Sequence, residues 1–122
     1  MTDTADQIRN LFAAYHARDR AAVERAFADD FTFTSPYDDR IDKAAYFARC
    51  WPASISGWMK AQDIERIVVD GDTAFVTYRR VTTDGKSFRN TEYFTFDGER
   101  IKTIDVYFGA TYKDGVFEKQ KS

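Results

Sequence analysis

Glu92 is the residue in this chain whose surroundings make chemistry most plausible. It sits in Phe88-Arg89-Asn90-Thr91-Glu92-Tyr93-Phe94-Thr95-Phe96, which alternates as a strand. Side chains two apart share a face, so Phe88, Asn90, Glu92, Phe94 and Phe96 lie together. A carboxylate among rings costs free energy unless it is paired, hydrogen-bonded or protonated. Burial raises its pKa, which suits a general acid or base, or a neutral hydrogen-bond donor. The competing reading is a structural carboxylate tied to Arg79, Tyr78 or a helix end.

Other candidates are arranged by type around Glu92. Tyr78 or Tyr15 would be its hydrogen-bond partner. Asp38, in Tyr37-Asp38-Asp39-Arg40, would be a carboxylate at the mouth of a pocket; the alternative is a solvated turn whose acids precede a helix. Phe31, Phe33, Asn90, Phe94, Val106 and Phe108 would line the walls, together with Ile104. Trp51 and Trp58 flank a small, polar segment and would form a lid or cap the core. Cys50 reads as an inert core thiol and His16 as a surface residue.

Composition narrows the chemistry. One cysteine excludes an intrachain disulfide, and one histidine far from it leaves a zinc site short of ligands. The acids lack calcium-loop spacing and no glycine-rich phosphate loop exists. Nothing in the sequence requires a metal or organic cofactor. A net charge of −2, with no basic face, argues against nucleic acid. No apolar run approaches a membrane span, and the N-terminus lacks signal-peptide character, so a cytoplasmic protein is expected. The expected ligand is a hydrophobic small molecule.

The elements that must position these residues can be read along the chain. The 122 residues are expected to form a single domain. Ile8, Leu11, Phe12 and Tyr15 form a helical stripe over about 4–17, with Thr4 and Gln7 at capping-box spacing. Asp19 caps a second helix whose buried face is Val23, Ala26 and Phe27, ended by Asp29-Asp30. Residues 31–35 alternate as a short strand, stopped by Pro36. A third helix starts at Asp42 and ends at Pro52. Beyond Trp58, Asp70-Gly71, Asp84-Gly85 and Asp97-Gly98 separate β-rich runs, which predicts a four-stranded antiparallel meander. Residues 113–122 read as a loose tail. The class is therefore α+β: three N-terminal helices packed on a strongly bent antiparallel sheet, a cone enclosing a pocket.

Register decides what meets Glu92. A glycine bulge at Gly98 puts Ile104, Val106 and Phe108 on its face and Thr103, Asp105 and Tyr107 outside; a two-residue turn would reverse this, and the bulge is preferred because it collects the apolar residues. At Asp84-Gly85 two registers stay open. One brings Thr77 and Arg79 beside Glu92, the other Val76 and Tyr78. On the outer face, Tyr93 and Tyr107 with Thr91, Thr95 and Asp105 form a patch that suggests a homodimer.

Residues 17–23, 26–33 and 90–98, followed by Ile101 to Phe108, resemble the nuclear transport factor 2-like superfamily, and within it the SnoaL-like group. The similarity runs from Ala5 to Gly109. It implies a cone-shaped pocket and frequent dimerisation through the outer sheet face. Fold alone does not assign a reaction. Ketosteroid isomerases of this superfamily place an aspartate base where this chain has Ser35, before Pro36. Their helical tyrosine falls at Leu11, with Tyr15 one turn on. Their second oxyanion donor, a carboxylic acid, corresponds to Glu92. Asp38, three residues past Ser35, could take the base role. SnoaL-type cyclases use a carboxylate–histidine arrangement, for which His16 is the only imidazole. The reading favours a small-molecule-binding domain, with an isomerase-, cyclase- or dehydratase-type reaction at a buried carboxylate as the chemistry that would suit it. The alternative is a non-catalytic dimeric interaction protein using the outer sheet face.

Overall fold

The computed structural model describes residues 3–54 and 59–118. Helix α1 spans Thr4–His16, α2 Arg20–Ala26, α3 Lys43–Arg49 and α4 Trp51–Ser54. The strands are β1 Phe27–Ser35, β2 Asp38–Asp42, β3 Met59–Asp70, β4 Thr73–Thr82, β5 Lys86–Asp97, β6 Arg100–Lys113 and β7 Val116–Glu118.

The helices start where a side-chain oxygen can satisfy free backbone N–H groups. Asp3 caps α1 by accepting from the Ala5 N–H at 3.3 Å, so Asp3 replaces the expected Thr4–Gln7 box. Asp19 caps α2 and Asp42 caps α3 through the same kind of bond. Helix α2 ends earlier than its pattern suggests. Phe27 is already extended, because β1 begins there in pairing with Ile101. Its ring is buried all the same. Pro52 does not stop helical structure; it lies in the short α4, near the start where a missing N–H is tolerated.

The expected meander is present, with β3, β4, β5 and β6 pairing antiparallel in sequence order. The complete sheet is mixed rather than antiparallel, with order β2-β1-β6-β5-β4-β3 and β1 parallel to β6. Residues 38–42, read as a charged turn, form strand β2 against β1. Part of the expected loose tail is also ordered: β7 pairs Thr111–Lys113 of β6.

Three irregularities fix the faces. Gly85, at φ +85°, closes the β4–β5 turn after a three-residue loop, and the Thr82 hydroxyl accepts from the Lys86 N–H at 3.1 Å. Val76 therefore faces Glu92 and Tyr78 faces Asn90, which selects the second register left open by the sequence. Between β5 and β6, Asp97 pairs with Arg100 and Phe96 with Ile101, but Thr95 pairs with Thr103. The extra residue is thus Lys102 rather than Gly98. The consequence expected for the faces still holds, with Phe94, Glu92 and Asn90 opposite Ile104, Val106 and Phe108. A second slip sets Arg89 opposite Gly109 and Ala110.

These bulges accompany a strongly curved sheet. Its inner face buries Ala74, Val76, Tyr78, Phe94, Phe96, Ile104 and Val106 against Ile8, Leu11, Val23, Tyr46 and Phe47 from the helices.

The second slip depends on glycine. A Cβ at Gly109 would lie 2.1 Å from the Arg89 carbonyl oxygen, which is backbone and cannot swing aside. Gly71 has φ +61° but open space around it. Gly109→Ala is expected to destabilise the fold by about 2–4 kcal/mol, against about 1 kcal/mol for Gly71→Ala. Urea denaturation of both variants measures this; equal losses would contradict the close approach.

Candidate functional site

A cavity of about 290 Å³ lies between the inner sheet face and helices α1 and α3. Rings make up much of its wall: Phe12 and Tyr15 from α1, Phe33 from β1, Tyr46 from α3 and Phe108 from β6. Two polar groups interrupt them. One comes from the meander and comprises Gln62, Tyr78, Arg80, Asn90 and Glu92. The other comes from β1, β2 and the end of α3 and comprises Ser35, Asp38, Arg49 and Cys50.

Strand parity builds the first group. Tyr78 and Arg80 are two apart on β4, as are Asn90 and Glu92 on β5. Tyr78 is almost fully buried and accepts a hydrogen bond from Asn90 Nδ2 at 3.2 Å. Its hydroxyl also interacts with the nearby Glu92 carboxyl. The Asn90 amide oxygen is buried with no hydrogen-bond partner among the described residues, an uncommon state for a native acceptor.

Burial pushes the Glu92 carboxyl above its ordinary range. The Tyr78 hydrogen bond and the positive charge of Arg80 oppose that shift without cancelling it. Burial also raises the Tyr78 hydroxyl, with the Glu92 charge adding to it. The Tyr15 hydroxyl is bonded to that of Tyr46 and is raised by burial first and by Tyr46 second. These phenols stay protonated and can donate.

The second group is an ion-pair cluster. Asp38 has a side chain only 9% exposed, and Arg49 holds it at 2.8 Å. The Ser35 hydroxyl donates to it at 3.1 Å, and the Cys50 thiol lies 3.8 Å away. Asp38 is therefore not a solvated turn residue, although its neighbours Asp39 and Arg40 are exposed. Cys50 belongs to this wall rather than to a closed core. Burial and the Asp38 charge push its thiol up to about 11, so it is a poor nucleophile at neutral pH.

The structure thus gathers Glu92, Asp38, Tyr78, Tyr15, Phe33, Asn90, Val106 and Phe108 around one cavity. It corrects three expected wall residues. Phe31 is fully buried and stacked on Phe27 at 4.0 Å, Phe94 is core, and Trp51 packs behind Tyr15 and against Phe47. Ile104 is likewise core. Trp58 lies outside the described residues. The sequence reading missed Tyr46, Gln62, Arg49 and Arg80. Arg80 was within reach, because it shares the parity of Tyr78. The Asp38–Arg49 pairing had no sequence signal.

Two grooves are larger, at about 740 Å³ each. One runs between α1 and β3 and includes the exposed His16; the other lies on the outer face along β1 and β6. Neither touches Glu92, so the smaller cavity is where a desolvated acid and hydrogen-bond donors converge. Among the described residues, no three His, Cys, Asp or Glu side chains are placed to hold a metal ion, and no helix is long and apolar enough to cross a membrane.

A curved sheet closed by helices over a ring-lined cavity defines an α+β cone. The chain belongs to the SnoaL-like domain family, whose model matches residues 8–104. Solved structures agree on the fold. A nuclear transport factor 2-like protein of unknown function from Cytophaga hutchinsonii is 18% identical, with 88% of this chain and 91% of that one covered and a TM-score of 0.72. A candidate polyketide cyclase from Sinorhizobium meliloti is 24% identical, over 84% and 94%, with a TM-score of 0.69. A candidate ketosteroid isomerase from Kribbella flavida is 15% identical, over 96% and 89%, with a TM-score of 0.74. Among curated proteins no match reaches significance.

Two predictions follow from the electrostatics. Since the folded Glu92 pKa is raised, its contribution favours the folded state while the carboxyl is protonated and is lost as pH rises through the folded value. Glu92→Gln should therefore raise the melting temperature more at pH 8 than at pH 5; a gain independent of pH would contradict burial of the charge. Asp38→Asn removes a charge that raises the Cys50 thiol, so iodoacetamide should label Cys50 faster at pH 9 than in the parent protein. Unchanged or slower labelling would show that Asp38 does not act on the thiol.

Proposed function

We propose that this chain binds a small ring-bearing molecule in the cavity and that Glu92 exchanges a proton with it, in an isomerase-, cyclase- or dehydratase-type reaction. The observation that carries this reading is the placement of Glu92. It is a carboxyl raised by burial, tied to Tyr78 and turned to a cavity walled by rings. A general acid or base works best when its pKa approaches the working pH, and desolvation moves Glu92 in that direction. Tyr78 and the Tyr15–Tyr46 pair are donors able to stabilise an oxyanion developing on the ligand. Asp38 is the second carboxylate of the wall, but Arg49 and Ser35 already engage it, so its role is to shape and orient one end. Ser35, where isomerases of this fold place their base, makes steroid isomerisation a poor match. The candidate cyclase and isomerase among the structural neighbours support the reaction class only through shared fold.

The test is a thermal-shift screen of cyclic ketones and hydrophobic acids, followed by solvent-deuterium exchange on the compounds that stabilise the protein. Glu92→Gln should keep the fold and lower exchange at least about a hundredfold. Unchanged affinity and exchange would overturn the role of Glu92.

A second reading concerns the outer sheet face. Phe75 is 47% and Tyr107 58% exposed there, and Phe75 packs against Tyr93 at 4.7 Å. Rings left open on a sheet favour a self-complementary contact with a second copy. Tyr93→Arg should then shift sedimentation from dimer to monomer; a parent protein that sediments as a monomer would remove this reading.

A further inference from the structure

Arg80 stands apart from the other arginines. Every other arginine in the described chain is exposed to solvent, whereas Arg80 is partly buried and lines the cavity. Its Nε donates to the Gln62 side-chain oxygen at 2.9 Å, and its guanidinium carbon lies 5.3 Å from the centre of the Tyr78 ring. A neutral amide and an aromatic face thus fix the group in place. No carboxylate lies within ion-pair distance of it among the described residues. By contrast, Arg49, on the same cavity wall, is engaged by Asp38.

A guanidinium has five N–H donors in a planar fork, and one edge of two parallel donors matches a carboxylate. With Nε occupied by Gln62, the terminal nitrogens are not engaged by any described protein group. Partial desolvation strengthens the attraction for an anion that reaches them. Glu92 senses the Arg80 charge but does not form an ion pair with it. Because burial pushes Glu92 towards its neutral form, its repulsion of a nearby anion is reduced. The remaining wall, with Phe12, Phe33 and Phe108, suits a ring rather than a long polar chain.

From this arrangement we infer that Arg80 is the anchor for a ligand carboxylate, and that the cavity takes a small ring-bearing carboxylic acid. This rests on the reading of the cavity as a small-molecule site and assigns its ligand class. Gln62 is a positioning residue, since it acts through Arg80.

Isothermal titration with phenylacetate, phenylacetamide and 2-phenylethylamine tests the assignment. The three probes share a ring and differ in the charge of the polar end. The parent protein should bind phenylacetate at least tenfold more tightly than phenylacetamide. Arg80→Gln should abolish that preference, weakening phenylacetate far more than phenylacetamide, and Arg80→Lys should restore it only in part. If Arg80→Gln does not fold by circular dichroism, Gln62→Leu should still reduce the preference, because the guanidinium loses its orientation. Equal binding of acid and amide, or tighter binding of the amine, overturns the role of Arg80 and leaves the cavity reading standing. Preference for the acid that survives Arg80→Gln also overturns it. Failure of all three probes to bind overturns the cavity reading and this assignment together.

Discussion

The site depends on one constraint, the register of three long strands. In a sheet, a slip of one residue exchanges the two faces of a strand. Glu92 meets the cavity because Gly85 closes the β4–β5 loop with three residues and because Lys102 is the one extra residue between β5 and β6. The same two devices bring Tyr78 and Arg80 to the inner face beside it and send Phe75, Tyr93 and Tyr107 outward. The core depends on this register as much as the site does, since Phe94, Ile104 and Val76 would otherwise face water. Packing and chemistry are therefore selected together, and the apolar residues hold the polar ones in place.

The sequence carried much of this, for identifiable reasons. Alternation along β5 and β6 is strong, so the inner face of both strands followed from pattern alone. The helical stripe of Ile8, Leu11, Phe12 and Tyr15 was equally clear. The Asp84-Gly85 turn was open because two- and three-residue loops both accept glycine at positive φ. Strand β2 was hidden because Asp38–Asp42 has the composition of a turn; it is a strand because it pairs with the edge of β1. Phe31, Phe94 and Trp51 were expected on the cavity wall but are core, since parity tells which face a ring takes and not how deep along that face the helices close over it. The contact between Asp38 and Arg49 joins β2 to α3 and has no local signature.

The cavity combines features that oppose each other. Rings disfavour ionisation of Glu92, while Tyr78 and Arg80 favour it, and the outcome is a carboxyl displaced upward. A carboxylate held by an adjacent arginine, as Asp38 is by Arg49, is more often a structural element. Among the described residues, neither Glu92 nor Arg80 has an ion-pair partner. That incomplete pairing, at one end of a ring-lined space, is what separates this cavity from an ordinary packing defect. The resemblance to ketosteroid isomerases fails in the other polar group, where Ser35 stands in place of their base.

The central claim is that Glu92 is a desolvated acid within a ligand cavity. A carboxyl-carbon NMR titration of Glu92, assigned by its loss in Glu92→Gln, measures this directly. The account predicts a midpoint clearly above the value of about 4.3 for a free glutamate. A midpoint at or below that value would show a paired or solvated carboxylate and would contradict the account.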